Sequence, residues 1–322
     1  LTKEIFEIAL NIIIIGGINL NITKLFFIKF TVSIVIFVFT LNMAYIETSS
    51  KEDLLNRRND LEKEILSMLK SGPETNFPWD FELEFIKAKE DNNTPILMGG
   101  YRTVLKDPLP GEELNVHLAA KMLSGTIIMP GQVFSQNKTI GPYTEEKGFK
   151  KGPTYIGSKL STTIGGGVCK IASTLYNVTV LSNLEVIERH NHSMPVPYVP
   201  YGQDATVSYG AKDYKFKNNT DHPVMIWAQG IENILYMGFY GSDVPPSITW
   251  NHEVLEVRKA DKIYNINSDL PYGNEKIITE GMDGAVIKSN IIIQDNDGKT
   301  TYKNMGTSNY IPFPFLVEKS SE

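Results

Sequence analysis

Thr162-Thr163-Ile164-Gly165-Gly166-Gly167-Val168-Cys169-Lys170-Ile171-Ala172-Ser173-Thr174-Leu175-Tyr176-Asn177 is the stretch on which the reading of the chain turns. Three glycines give way to an amphipathic run with the spacing of a helix. A glycine run opening into a helix lets backbone N–H groups point outward, and the first helical residues then sit in a positive potential. Cys169, the only cysteine in 322 residues, stands at that point. A thiol placed there loses its proton more easily, and the thiolate is the nucleophile. A free cysteine also serves as a small buried hydrophobe. Such packing has no need of three preceding glycines, so the nucleophile reading is preferred.

Composition sets the frame around that stretch. Hydrophobic residues make up 42% and charged residues 21%, which describes a folded chain with room for two domains. The net charge of −6 and the lack of any Lys/Arg-rich run argue against nucleic acid as a partner. One cysteine allows no internal disulfide. Residues 1–50 read as an N-terminal hydrophobic region. Phe30 to Ile46 is charge-free, follows Lys24 and Lys29, and precedes Glu47, Glu52 and Asp53. This predicts a single transmembrane helix that anchors the protein in the cell membrane, with the lysine side cytoplasmic and the remainder outside. Asn42-Met43-Ala44 is a poor cleavage site, so a retained anchor is preferred to a signal peptide. Ile8 to Thr23 is open between a second hydrophobic segment and upstream sequence.

Residues 51–110 read as a helical stalk and linker. Ser49-Ser50-Lys51-Glu52 has the form of a capping box, and Ser71-Gly72-Pro73 ends the helix. From Leu114 the pattern changes. Leu114, Leu118 and Met122 are spaced four apart and give one face of a helix, with His117 off that face and solvated. Thr126 to Met129 then begins a β-rich stretch with glycine turns. Residues 231–322 form a second, β-rich unit. Ile234 to Tyr240 reads as a closing strand, and Asp295-Asn296-Asp297-Gly298 as the turn of a hairpin. The fold class expected is α+β: a mostly antiparallel β domain over 111–230 with the Cys169 helix packed on it, and a small C-terminal β domain.

Several blocks occur in a fixed order around the glycine run. They are Val133-Phe134-Ser135-Gln136-Asn137, Gly141-Pro142-Tyr143, Lys147-Gly148-Phe149, Gly165 to Cys169, and Ser173 to Asn177. Leu184 to Ser193 and Tyr198 to Val207 complete the set. Together, from about Leu114 to Trp227, they resemble the VanW family, named from glycopeptide-resistance gene clusters of Gram-positive bacteria. The resemblance implies an extracytoplasmic cell-wall protein. It also implies L,D-transpeptidase chemistry, with the cysteine of the Gly-Gly-Gly-Val-Cys block as nucleophile and the histidine of His-Ser as the regular one. The glycine-rich tail faintly resembles the five-glycine β-domains of wall proteins, which would bind glycan or merely complete the fold.

A cysteine acyltransferase needs a base near the thiol, donors for the oxyanion and a group that orients the base. His190 and His192 are the nearest downstream histidines. If Glu188 to Ser193 is extended, both share one face and Arg189 points the other way. The resemblance assigns the base to His192 and leaves His190 as the alternate. Backbone N–H groups at Gly167, Val168 and Cys169 are the expected oxyanion donors. Asp204, with Arg189 and Ser193, is a candidate to orient the base or contact substrate; Asp204 also fits a turn after Gly202. Zinc held by Cys169, His190 and His192 matches no familiar spacing. No Gly-x-Ser-x-Gly occurs, and no Lys-Ser/Thr follows the glycines as in a phosphate loop. The expected function is therefore a peptidoglycan L,D-transpeptidase acting on stem peptides, with no metal or organic cofactor required. A non-catalytic wall-binding protein and a cysteine endopeptidase or carboxypeptidase are the alternatives.

Overall fold

Val224-Met225-Ile226-Trp227-Ala228 is a run of five buried residues, and it shows how the sheet is built. Side chains alternate between the two faces of a strand, so a run buried throughout needs cover on both. Ile226 and Ala228 enter the main core, while Met225 and Trp227 enter a second cluster with Phe77, Trp79, Phe85 and Tyr240. The computed structural model describes residues 70–105, 108, 111–156 and 159–321. The expected anchor at Phe30 to Ile46, the apolar stretch before it and most of the stalk helix lie outside the described residues. Among the described residues no helix is long and apolar enough to cross a membrane.

The central sheet is antiparallel and five-stranded. Its strands are β1 (Gly72–Pro73), β2 (Ile96–Val104), β3 (Thr126–Ile128), β9 (Val224–Ile231) and β10 (Ile234–Gly241), in the spatial order β1-β2-β10-β9-β3. Strand β10 lies in the middle of the sheet and does not close it. The sheet thus takes strands from beyond both ends of the 111–230 stretch. Helix α1 (Leu83–Asp91) contributes Phe85 to the aromatic cluster on one face. Helices α2 (Glu112–Leu123) and α4 (Cys169–Leu181) contribute to the main core on the other. The short α3 (Gln136–Thr139) follows β4 (Val133–Ser135). Strand β4 pairs in a small sheet of order β4-β8-β7 with β7 (Glu185–Glu188) and β8 (Lys215–Lys217). A separate hairpin, β5 (Lys151–Ile156) and β6 (Lys159–Ile164), leads into the glycine run.

The face of α2 is only in part the one expected. Leu114 is 61% exposed, while Leu118 and Met122 pack half-buried against the core and Val116, Ala119, Ala120 and Leu123 are fully buried. The small alanines let the helix lie close to β9, where a Cβ on Gly230 would meet the His117 ring at 2.0 Å. His117 is therefore not simply solvated; its Nε2 lies 2.9 Å from the Glu232 carbonyl oxygen.

The C-terminal strands form two further three-stranded sheets. One has the order β11-β14-β15, from β11 (Ser247–Arg258), β14 (Gly284–Gln294) and β15 (Thr300–Tyr310), and is antiparallel. Asp295 to Gly298 forms the turn between β14 and β15. The other has the order β12-β16-β13, from β12 (Lys262–Ile266), β13 (Glu275–Thr279) and β16 (Phe315–Lys319). Its β12–β16 pair is parallel. The described architecture is thus mostly antiparallel β with few helices.

Candidate functional site

Cys169 is the first residue of α4, and Val168 before it already has helical angles (φ −63, ψ −14) with no capping side chain. The glycines ahead of it are required by close packing. A Cβ on Gly166 would lie 2.1 Å from the Gly152 carbonyl oxygen. Gly167 has φ +102, and a Cβ there would lie 2.8 Å from Cγ of Glu112. The buried Asn115 donates through Nδ2 to the carbonyls of Gly166 (2.9 Å) and Lys150 (2.8 Å), which ties the turn to α2 and β5. Lys170 Nζ bonds Glu112 Oε1 beside the same turn. The Val168 N–H donates to the Gly165 carbonyl at 3.3 Å, so it is spent within the turn. Among the described residues the N–H groups of Gly167 and Cys169 have no protein acceptor. Of the expected donors these two stay open, and Val168 does not.

The thiol is half-buried. Its Sγ lies 3.3 Å from Thr206 Oγ1 and 3.6 Å from the Val207 carbonyl oxygen. His192 comes from the segment after β7. Its Nδ1 lies 2.6 Å from Asp204 Oδ2, and its backbone N–H donates to the same oxygen at 2.7 Å. With Nδ1 committed to Asp204, Nε2 is the ring nitrogen of His192 left to act on Cys169. The His192 side chain is 13% exposed and that of Asp204 1%. Burial alone pushes the Cys169 thiol up. The hydrogen bond and charge of His192, with the Thr206 bond, outweigh it and hold the thiol below its ordinary value. Burial likewise opposes the charged form of His192. Asp204 and Cys169 override it and raise the imidazole to about 9. Asp204 is held below its ordinary value because His192 and Arg189 outweigh its burial. The arrangement sets a lowered thiol and a raised imidazole beside a buried carboxylate.

The two histidines do not share a face. Strand β7 ends at Glu188 with a register shift just before it, so strand alternation does not extend through the histidines. Arg189 joins His192 on Asp204, with its Nε 2.7 Å from the Asp204 carbonyl and its Nη2 3.0 Å from Oδ1. His190 turns instead to Glu188, 3.0 Å from Oε1, and Lys215 holds the other oxygen of that carboxylate at 2.7 Å. Zinc ligation by Cys169, His190 and His192 therefore has no converging set. Among the described residues no group of three His, Cys, Asp or Glu is placed to hold a metal. Ser193 is exposed and contributes its carbonyl, which accepts from the Ile311 N–H at 2.8 Å. Beside His190 a groove of about 320 Å³ is lined by Lys138, Glu188, Tyr209, Lys212 and Asp213, side chains of both charges.

Thr206 and Asn115 are site residues that the sequence motifs do not single out. Thr206 lies within the Tyr198 to Val207 block, two residues after Asp204, and a hydroxyl between two apolar neighbours is its one signal. Asn115 sits on the buried face of α2, where a polar residue amid Val116 and Ala119 marks a hydrogen-bonding duty.

Residues 111–240 match the family model described as "VanW like protein". "Uncharacterized protein YoaR" of Bacillus subtilis is 35% identical over 147 residues, covering 46% of this chain and 48% of YoaR. "Vancomycin B-type resistance protein VanW" of Enterococcus faecalis is 32% identical over 158 residues, covering 47% of this chain and 57% of VanW. The chain thus spans about half the length of these relatives, and the matched region holds Cys169, His192 and Asp204. The solved "IgA1 Protease G5 domain structure" aligns with 24% of this chain at 23% identity and a TM-score of 0.16, too low to bear on the fold. The similarity to VanW lies in the 111–240 segment.

Proposed function

We propose that this VanW-like segment is a cysteine acyltransferase, a peptidoglycan L,D-transpeptidase working on stem peptides outside the cell membrane. The observation that carries the reading is the Cys169–His192–Asp204 chain, in which the thiol is lowered and the imidazole raised. The Cys169 thiolate attacks the carbonyl of the third residue of a donor tetrapeptide. The oxyanion that forms is met by the open N–H groups of Gly167 and Cys169. The C–N bond to the terminal D-Ala breaks, and the His192 imidazolium gives its proton to the departing amine. A side-chain amine from a neighbouring stem then attacks the thioester and passes its proton to His192. The new amide is the cross-link, and the thiolate–imidazolium pair is restored. Such a route bypasses D-Ala-D-Ala ends, which fits the vancomycin-resistance name of one relative.

The test is to incubate the full-length protein with tetrapeptide-rich sacculi and to analyse the muropeptides. New three–three cross-links are expected, and Cys169→Ser should lose them while remaining folded, because the hydroxyl is a much poorer nucleophile. Shortened stems would replace transfer by hydrolysis. An unchanged digest would leave a wall-binding protein.

A further inference from the structure

Asp204 is buried to 1% exposure, and part of what covers it comes from far along the chain. Tyr310, at the end of β15, is 106 residues away in sequence and donates its hydroxyl to Asp204 Oδ1. The same hydroxyl accepts from the Gly202 N–H at 2.8 Å, and the ring packs 5.3 Å from that of Tyr201. On the same strand, Ser308 accepts from Arg189 Nη1 at 2.9 Å, and Arg189 in turn holds Asp204. Past the strand, the Ile311 N–H donates to the Ser193 carbonyl beside His192. From β11, His252 Nε2 lies 2.9 Å from Gln203 Nε2. The C-terminal strands therefore contact the carboxylate, its arginine and the histidine segment together.

We infer that Tyr310 is a positioning residue for the Asp204–His192 pair, so that the C-terminal strands complete the thiol site of the VanW-like segment. This rests on the reading of Cys169, His192 and Asp204 as one reactive set, and extends it to a part of the chain that lies outside the matched region. A buried carboxylate stays ionised only while donors replace its lost water, and each donor to the charged form lowers its affinity for protons. The charged and titratable groups around Asp204 are His192 and Arg189 from the segment after β7, Tyr176 from α4 and Tyr310 from β15. His252 and Tyr214 act at one remove, through Arg189. Removing the Tyr310 hydroxyl leaves fewer donors on Oδ1. Asp204 then takes a proton at higher pH, and the imidazolium that sustains the thiolate loses its support there.

The rate of Cys169 alkylation by iodoacetamide against pH tests this in the full-length protein, whatever the enzyme's substrate. Tyr310→Phe keeps the ring and should move the acid limb of the profile upward by about one pH unit, a tenfold slower reaction at fixed pH on that limb. Ser308→Ala should move it in the same direction by less, and decides the matter if Tyr310→Phe does not fold. An early wild-type limb with both variants superimposed on it overturns the role of Tyr310 alone. So does a lowered melting point with an unmoved profile, which is what mere packing would give. A wild-type thiol that titrates like free cysteine overturns the reactive set and this inference together. A shifted limb without any cross-linking keeps the inference and sinks the transpeptidase.

Discussion

Two carboxylate–imidazole pairs, with histidines two residues apart in this chain, are built to different ends. The Glu188–His190 pair faces a groove, with side-chain exposures of 29% and 39%, and shares its carboxylate with Lys215. Lys215 is the largest of the influences that hold Glu188 down at about 2, so that charge is already answered by a lysine. The Asp204–His192 pair is 1% and 13% exposed, and its imidazole answers a thiol. A carboxylate and an imidazole thus give a solvated ion cluster in one place and a buried pair beside a thiol in the other. What separates them is burial and the identity of the third partner.

The largest effect should come from His192. His192→Ala should cut transfer by about 10²- to 10⁴-fold, the usual worth of a positioned proton shuttle, measured as initial rates of cross-link formation. A loss no larger than that of His190→Ala would erase the distinction between the pairs. Next comes pH. The His192 value is raised, so the imidazolium and the stability it confers are fully present below its ordinary 6.5 and are lost as pH rises through about 9. The thiolate survives that change but the proton for the leaving amine does not. Above pH 9, turnover should fall roughly tenfold per unit while alkylation of Cys169 holds its plateau. If both decline together, the imidazolium is not the proton donor. The smallest effect belongs to His190→Ala, expected within about twofold in rate and about 0.5 kcal/mol in stability by denaturant titration, as for a partly solvated side chain.

The glycine run and Cys169 are legible in the sequence because their constraint is local. Three glycines before a helix mark a turn that side chains cannot enter, and the structure shows what each Cβ would strike. Asp204 is a candidate from its block alone, but its contact with His192 depends on how the segment after β7 leaves its sheet, which no periodicity records. The face of α2 escapes the sequence in part, for a related reason. Leu114, Leu118 and Met122 have the right spacing, yet close approach to β9 favours Ala119 and Ala120. The C-terminal hairpin announces itself through Asp295 to Gly298. Tyr310 does not, because a tyrosine that caps a strand looks the same whether it faces solvent or a carboxylate 106 residues away.

Strand β10 sets the order in which the molecule can be assembled. Its register places Ile234 against Val104 on one side and against Ile231 on the other, so it alone joins β1 and β2 to β9 and β3. The β9–β10 pairing is local and forms quickly, whereas β2 must wait for a partner supplied only after Cys169, His192 and Asp204 have been synthesised. Until then the chain carries two half-sheets, each with an unsatisfied edge exposed to other chains. A nascent chain that has released Cys169 has not yet closed the floor beneath it. The Cys169 thiol is thus made early and seated late, and any helper that shields such a chain would have to cover the edge of β2.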